Sequence, residues 1–239
     1  MKLRWTTAVW SVIYLLLLLS LLTPFSIVTA FLLVLPVAIL FTALNTKSFI
    51  MHVVPVWLIA LLIHPIYVLF AIYFAVPGIV MGYLYRKRKA AMQVLKYGMA
   101  VMLVEMLLLL MISTAFFQLN LSEYVDEIVK MTTAPLTEMG VEGGLGGQFL
   151  GTELDTQLIK DQTMRLVPFA MIISSFLMTV VTHALARPTL GSMGLSVPRL
   201  KPAREWMLPR SLIWYYLLIF FINIATVDSD NTFMKMIVA

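Results

Sequence analysis

Cysteine is missing from the 239 residues of this chain. Its absence excludes disulfide bonds, thiolate-bound metal ions and cysteine nucleophiles. Charged residues are also scarce, at 12%, whereas hydrophobic residues make up 61% and the mean hydropathy is +0.95. Soluble domains are usually about half apolar and about a quarter charged. The composition therefore predicts an integral membrane protein, for which lipid is an obligatory partner.

The hydrophobic residues are gathered into runs that approach the length of about 20 residues needed to cross a bilayer as a helix. The seven runs cover residues 5–22, 27–44, 49–63, 66–85, 91–117, 166–186 and 211–227. Backbone groups in hydrocarbon must be bonded within their own segment, which excludes open strands. We therefore predict an all-α fold, a polytopic transmembrane bundle of about seven helices. The closing residues FMKMIVA predict the start of an eighth, truncated helix.

The basic residues predict the orientation of the bundle. With the N-terminus in the cytoplasm, 13 of the 17 basic residues lie on the cytoplasmic side, as the positive-inside rule requires. The run Arg86, Lys87, Arg88 and Lys89 then acts as a set of topology anchors at the end of the fourth helix. Because basic residues flank apolar segments, no nucleic-acid partner is expected. The first run is expected to be retained as a spanning helix rather than cleaved as a signal peptide.

The chain divides into three parts. Residues 1–117 form an N-terminal membrane bundle of five helices, and residues 166–239 form C-terminal membrane helices with a basic cytoplasmic loop at 187–210. Between them, residues 118–165 are acidic and carry the glycine-rich stretch GVEGGLGGQFLG. Start signals near its two ends, such as Asn120 followed by Glu123, predict two short amphipathic helices in one long outer loop.

Candidate ligand-binding residues are the polar side chains within or near the apolar runs. Glu105 is the only acid well inside a run, and a carboxylate there must be paired, protonated or facing water. It could contact a cationic ligand group or carry a proton, or it could join two helices as a neutral acid. Gln118 and Asn223 are further candidates: Gln118 is a polar residue at a helix end, whereas Asn223 is deep enough to bridge helices.

Two other features are interpreted structurally. Gly78 and Gly82 lie four residues apart, which places two bare backbone patches on one helix face for close packing. The histidines His52, His64 and His183 lie at different depths and match no familiar metal-ligand spacing. Neither HExxH nor GxSxG occurs, so we predict no catalytic residue, no metal, no cofactor and no enzymatic activity.

Three segments carry a resemblance to a known family: LPVAILFTAL (35–44), VPGIVMGYLYRKRK (76–89) and LPRSLIWYYLL (208–218). They resemble the YybS-like family of uncharacterised, multi-pass proteins of the bacterial cell membrane. The N-terminal helices are in turn similar to the S components of energy-coupling factor transporters. In S components, an AxxxA pattern on the first helix meets the coupling subunit, whereas here Ala8 is followed by Val12.

The resemblance implies a membrane transport subunit that binds a small-molecule ligand, with a coupling membrane protein and an ATPase as partners. An alternative remains open. The chain could be a non-transporting interaction or envelope-associated protein that docks a cytoplasmic partner through its basic loop, residues 187–210.

Overall fold

The computed structural model describes residues 2–138 and 156–200, and beyond them residues 213–214, 217–218 and 221. The two long ranges contain seven helices and no strand. The helices are α1 (Lys2–Ser20), α2 (Ser26–Ala43), α3 (Thr46–Ile63), α4 (Ile66–Arg86), α5 (Ala91–Phe117), α6 (Leu121–Glu138) and α7 (Thr156–Ser192). The predicted all-α fold is confirmed.

Five of these helices are long and apolar enough to cross a membrane: α2, α3, α4, α5 and α7. The first helix contributes a shorter apolar segment, Trp5–Ser20. Helices α2 to α5 begin and end within three residues of the predicted runs, because run length is what a bilayer-spanning helix demands. The prediction of a multi-pass membrane protein is confirmed.

The core of the bundle is built around α2. Every residue from Leu33 to Leu40 is buried, so this stretch is apolar and covered on all sides. Helix α2 packs most extensively on α4, and also on α1 and α7. Helix α5 packs on α4 and α7, while α6 lies against α7. Because α2 packs so extensively on α4, it holds α4 in place together with Arg86 at the end of that helix.

Gly78 and Gly82 lie where α4 meets α2. A Cβ atom added at Gly78 would come 2.7 Å from the Cβ of Val37, and one added at Gly82 would come 3.0 Å from the Ala38 carbonyl oxygen. Both distances are shorter than normal carbon contacts. The backbone of α4 thus approaches α2 more closely at these two positions than any side chain would allow.

Helix α6 confirms the first amphipathic helix expected in the outer loop. Its Val125 and Val129 are buried, whereas Glu127 is exposed. At its start, the Asn120 Oδ1 accepts a hydrogen bond from the Ser122 N–H at 3.1 Å, and the Asn120 side-chain amide donates to the Glu123 Oε1 at 2.9 Å.

The second helix of that loop differs from the prediction. It begins at Thr156 and continues without interruption through the apolar run 166–186 to Ser192, as the single helix α7 of 37 residues. Lys160 and Arg165 lie before the apolar run and are polar, but both are good helix formers. The helix therefore begins ahead of the run rather than at its first apolar residue. Helix α7 also includes Pro188, so the basic loop predicted at 187–210 starts after Ser192.

Several predictions fall on other parts of the chain. The glycine-rich stretch 140–151, Asn223 and the predicted eighth helix lie outside the described residues. Within the run 211–227, residues 213–214, 217–218 and 221 are helical, as expected of a membrane segment.

Candidate functional site

Glu105 lies in the middle of α5 and is half-buried. Its Oε2 atom is buried and has no hydrogen-bond partner among the residues that the structure describes. The half-buried Tyr73 of α4 lies within electrostatic reach of this carboxylate. An acid at the centre of a bilayer costs at least about 2.5–3.5 kcal/mol to insert, so this carboxylate must be paired, protonated or facing water.

Where α5 meets α7, methionines of α5 lie against hydroxyl side chains of α7. The Ser175 hydroxyl lies 3.3 Å from the Met106 Sδ and 2.7 Å from the Met171 carbonyl oxygen to which it donates. The Thr179 hydroxyl makes the same pair of contacts one turn on, with Met102 at 3.6 Å and with the Ser175 carbonyl at 2.8 Å. These hydroxyls are satisfied by their own helix, so the seam serves packing.

The three candidate ligand contacts do not form one described cluster. Gln118 is the C-cap of α5, with a left-handed φ of 52°, and is exposed. It lies 13 residues beyond Glu105, which corresponds to about 20 Å along a helix. Asn223 lies outside the described residues. Of the three, only Glu105 has a buried polar atom without a described partner, and its role as a ligand contact stays a prediction. Tyr73 is a neighbour that the sequence did not indicate.

A second polar site lies at the opposite end of α4, where the turn after the helix is held by two backbone hydrogen bonds. The Arg88 N–H donates to the Tyr85 carbonyl at 2.9 Å, and the Lys89 N–H donates to the Leu84 carbonyl at 3.1 Å. This closure requires a left-handed residue, usually glycine, and here Arg88 takes that place with a φ of 49°. A side chain in this conformation costs about 1–2 kcal/mol.

Arg86, two residues before Arg88, joins the ends of α4 and α2. Its guanidinium donates to the Leu44 carbonyl oxygen, and its Cζ lies 4.0 Å from the centroid of the Phe41 ring. A guanidinium has five N–H donors, so these contacts leave donors free for another group. The interpretation of residues 86–89 as topology anchors stays a prediction, and the two arginines also have specific places in the fold.

The two arginines line a cavity of about 240 Å³. The other lining residues come from the end of α2, from α4 and from the segment after α7: Thr42, Tyr85, Gly194, Leu195, Ser196 and Val197. Among the described residues, both ion pairs lie elsewhere, between Asp126 and Lys130 at 2.6 Å and between Asp126 and Lys160 at 3.7 Å. The cavity is thus positively charged, and no described carboxylate pairs with its arginines.

His183 is buried beside this cavity. Its Nδ1 lies 3.0 Å from the Tyr85 hydroxyl, and the Pro198 backbone approaches the ring. The Nε2 atom has no partner within hydrogen-bond distance in the described part of the chain. The side chains of His52 and His64 instead bond locally, to the Ser48 carbonyl at 2.8 Å and to the Ile66 N–H at 3.2 Å.

Metal-binding side chains are not clustered over residues 2–138 and 156–200. No three histidine or carboxylate side chains in these ranges lie close enough together to hold a metal ion. The arginine cavity was not predicted, because its lining residues come from three segments that no sequence motif connects. The one available signal was the choice of arginine at both 86 and 88 within a run shared with lysine.

Comparison with known proteins agrees with the architecture. A family model described as "Predicted membrane protein (DUF2232)" matches residues 11–239. The "Uncharacterized protein YybS" of Bacillus subtilis (strain 168) is 21% identical over 160 residues, which is 66% of this chain and 50% of that protein. The chain thus spans about half the length of this curated relative. No solved structure matches the chain.

Proposed function

Because the chain belongs to the DUF2232 family of predicted membrane proteins, as its YybS-like segments implied, we propose that it binds a small molecule within its helix bundle. The protein acts in the bacterial cell membrane, with its N-terminus in the cytoplasm, and takes its ligand from the outer side. The observation that carries the proposal is the buried, unpartnered Oε2 of Glu105 in the middle of α5.

The chemistry of this position defines the class of ligand. A carboxylate in the membrane interior is costly unless a cation or a hydrogen-bond donor compensates it, and such residues commonly mark ligand or proton pathways. Tyr73 adds a hydroxyl from the neighbouring helix α4. A small molecule with a protonated amine or another strong donor group would satisfy the carboxylate.

The resemblance to S components extends the proposal to transport. A coupling membrane protein and an ATPase would then move the captured molecule across the membrane. Ala8 and Val12 are both exposed on α1, so this face is accessible to such a partner. The bulk of Val12 does not suit the close helix packing that small residues permit, so the partner would pack less closely here.

Thermal unfolding of the purified full chain tests ligand binding. The probes are B-group vitamins and divalent cations, each added to the wild-type protein and to Glu105→Gln. We expect one probe to raise the midpoint of the wild type by several degrees and to leave Glu105→Gln unchanged, because a ligand stabilises only the state that binds it. Glu127→Gln, on the exposed face of α6, is the matched control and should keep the shift.

Two results would overturn the small-molecule proposal. The first is the absence of any ligand-dependent shift across the panel. The second is a shift of equal size in Glu105→Gln. Transport needs its own test, namely co-purification of an ATPase with the wild-type chain from native membranes, and loss of the complex in a variant with leucine at Ala8. Ligand binding without co-purification of an ATPase would support ligand capture and would overturn the proposed role in transport.

A second function is favoured by the segment that follows α7. Residues 195–200 run without helix, and both Ser196 and Arg199 are exposed. An accessible, non-helical basic segment is suited to docking a cytoplasmic protein. A photo-crosslinker placed at position 199 should then capture a soluble protein in cells, and the same group at Glu127 should not. Capture of lipid alone at position 199 would exclude the docking function.

A further inference from the structure

We propose that the cavity at the basic end of α4 binds a phosphate group. This site is distinct from the proposed small-molecule site at Glu105. Arg88 precedes the start of α5 at Ala91, whereas Glu105 lies 14 residues further along that helix. The phosphate can belong to an anionic lipid headgroup or to a soluble phosphorylated molecule. Both sources present the same chemistry, which is a compact anion with several acceptor oxygens.

The size of the cavity fits a phosphate group better than a whole metabolite. Its volume is about 240 Å³, whereas pockets for drug-sized ligands usually measure about 300–1,000 Å³. A phosphate group and the first atoms of its ester are small enough to enter such a cavity.

The donors that line the cavity suit phosphate oxygens. Arg86 and Arg88 offer guanidinium groups, which match the geometry of phosphate with paired N–H bonds. Ser196 adds a hydroxyl from the segment after α7. The Thr42 hydroxyl also lines the cavity but already donates to the Ala38 carbonyl oxygen at 2.6 Å. The two guanidinium groups and the Ser196 hydroxyl can donate to an anion, and no described acid among the lining residues opposes it.

The conformation of Arg88 supports a binding function for its side chain. Glycine would form the same turn without strain, yet the chain has an arginine with a φ of 49° at this position. An arginine that costs stability where it stands is expected when its side chain does something that glycine cannot do. Arg86, held by the Leu44 carbonyl and the Phe41 ring, is already positioned before an anion arrives.

The positive charge gives a second, independent argument. Arg86 is half-buried, and neither it nor Arg88 makes an ion pair with any residue over 2–138 and 156–200. A partly buried cation without an ion-pair partner keeps an uncompensated charge, and a bound anion compensates it. Lys87, Arg88 and Lys89 are all exposed, but of these three only Arg88 lines the cavity.

The test compares Arg88→Gly with Lys89→Ala in the purified full chain. Both variants remove one positive charge from the same run, but only Arg88 lines the cavity. Glycine also relieves the left-handed backbone, so Arg88→Gly should fold and should unfold at a higher temperature than the wild type. A loss of binding in this variant therefore cannot be ascribed to misfolding.

Two probes distinguish the sources of phosphate. Inorganic phosphate is titrated at constant ionic strength against chloride, and phosphatidylglycerol in mixed micelles is titrated against diacylglycerol. Thermal unfolding gives the apparent affinity for each probe. We expect Arg88→Gly to weaken binding of at least one probe by about tenfold or more, as for a lost charged hydrogen bond. Ser196→Ala should weaken the same probe by about threefold, and Lys89→Ala should leave it near the wild-type value.

Each outcome of the two titrations either supports or overturns the proposed phosphate site. Selective weakening in the phosphatidylglycerol arm assigns the site to a lipid headgroup, and selective weakening in the inorganic phosphate arm assigns it to a soluble phosphate. Equal weakening in Arg88→Gly and Lys89→Ala would reduce the effect to general surface charge and overturn the proposal. So would the absence of binding in both arms.

Discussion

The Tyr85 hydroxyl lies 3.0 Å from the Nδ1 of His183 and joins α4 to α7 across 98 residues of chain. Both side chains are buried, with exposures of 2% and 1%. A hydrogen bond that is shielded from solvent holds the two helices in one register, because breaking it leaves a buried polar atom without a partner. The phosphate cavity is formed partly by Tyr85, so this bond also fixes one wall of that cavity.

Tyr85→Phe should destabilise the bundle by about 1–3 kcal/mol, since it removes the hydroxyl and strands the His183 Nδ1. Unfolding in a denaturing detergent, followed by circular dichroism, measures the change. Tyr83→Phe is the matched control, because Tyr83 is 51% exposed and its change should stay within about 0.5 kcal/mol. Equal effects in the two variants would show that the bond between α4 and α7 adds no stability.

Gly78→Ala should lower stability by about 1–3 kcal/mol, because the new methyl group would lie 2.7 Å from the Val37 Cβ and force α4 away from α2. Gly191→Ala provides the control, since a Cβ there meets nothing within 4 Å. That variant should be neutral or more stable by up to about 1 kcal/mol, as alanine favours helix. The same unfolding assay compares them, and a neutral Gly78→Ala would contradict close packing of α4 on α2.

Acid should loosen α6 from α7. The hydrogen bond from Lys130, together with the charge of Lys160, lowers the pKa of Asp126 below its usual value of about 4. A lowered pKa in the folded state means that this contribution is complete above about pH 4 and is lost as the pH falls further. Lys160 belongs to α7, so the lost ion pair is one that ties the two helices together.

Hydrogen exchange of residues 121–138 between pH 7 and pH 3 measures this loosening, after correction for the intrinsic exchange rate. Protection should fall in the wild type at the acidic end, and Asp126→Asn should have low protection throughout with a flatter pH profile. High salt should reduce the difference, because the pair is at the surface. An identical profile in Asp126→Asn would assign the pH effect to other groups.

The spanning helices were predictable because one physical requirement, a run of about 20 apolar residues, fixes both where they lie and how long they are. The same rule failed for the start of α7. Lys160 and Arg165 lie outside the apolar run but inside the helix, since hydropathy and helix propensity are different properties. The start of α6 could be predicted because its signal, Asn120 followed by Glu123, is local in the sequence.

The sites were less predictable than the fold. Glu105 could be singled out since a lone acid in an apolar run is conspicuous, but its neighbour Tyr73 lies on another helix and needs the packing of α4 on α5. The arginine cavity depends on the end of α2, the end of α4 and the segment after α7 meeting at one place. Such a meeting is a property of tertiary structure and leaves no periodic trace in the sequence.

Cysteine labelling in intact cells tests the central claim, which is that the basic end of the bundle faces the cytoplasm and α6 faces outward. The natural chain has no cysteine, so single substitutions at the exposed positions Lys89 and Glu127 give clean signals. An impermeant maleimide should label Glu127→Cys in intact cells and Lys89→Cys only after the cells are permeabilised. Labelling of Lys89→Cys alone in intact cells would invert the topology and contradict ligand capture from the outer side.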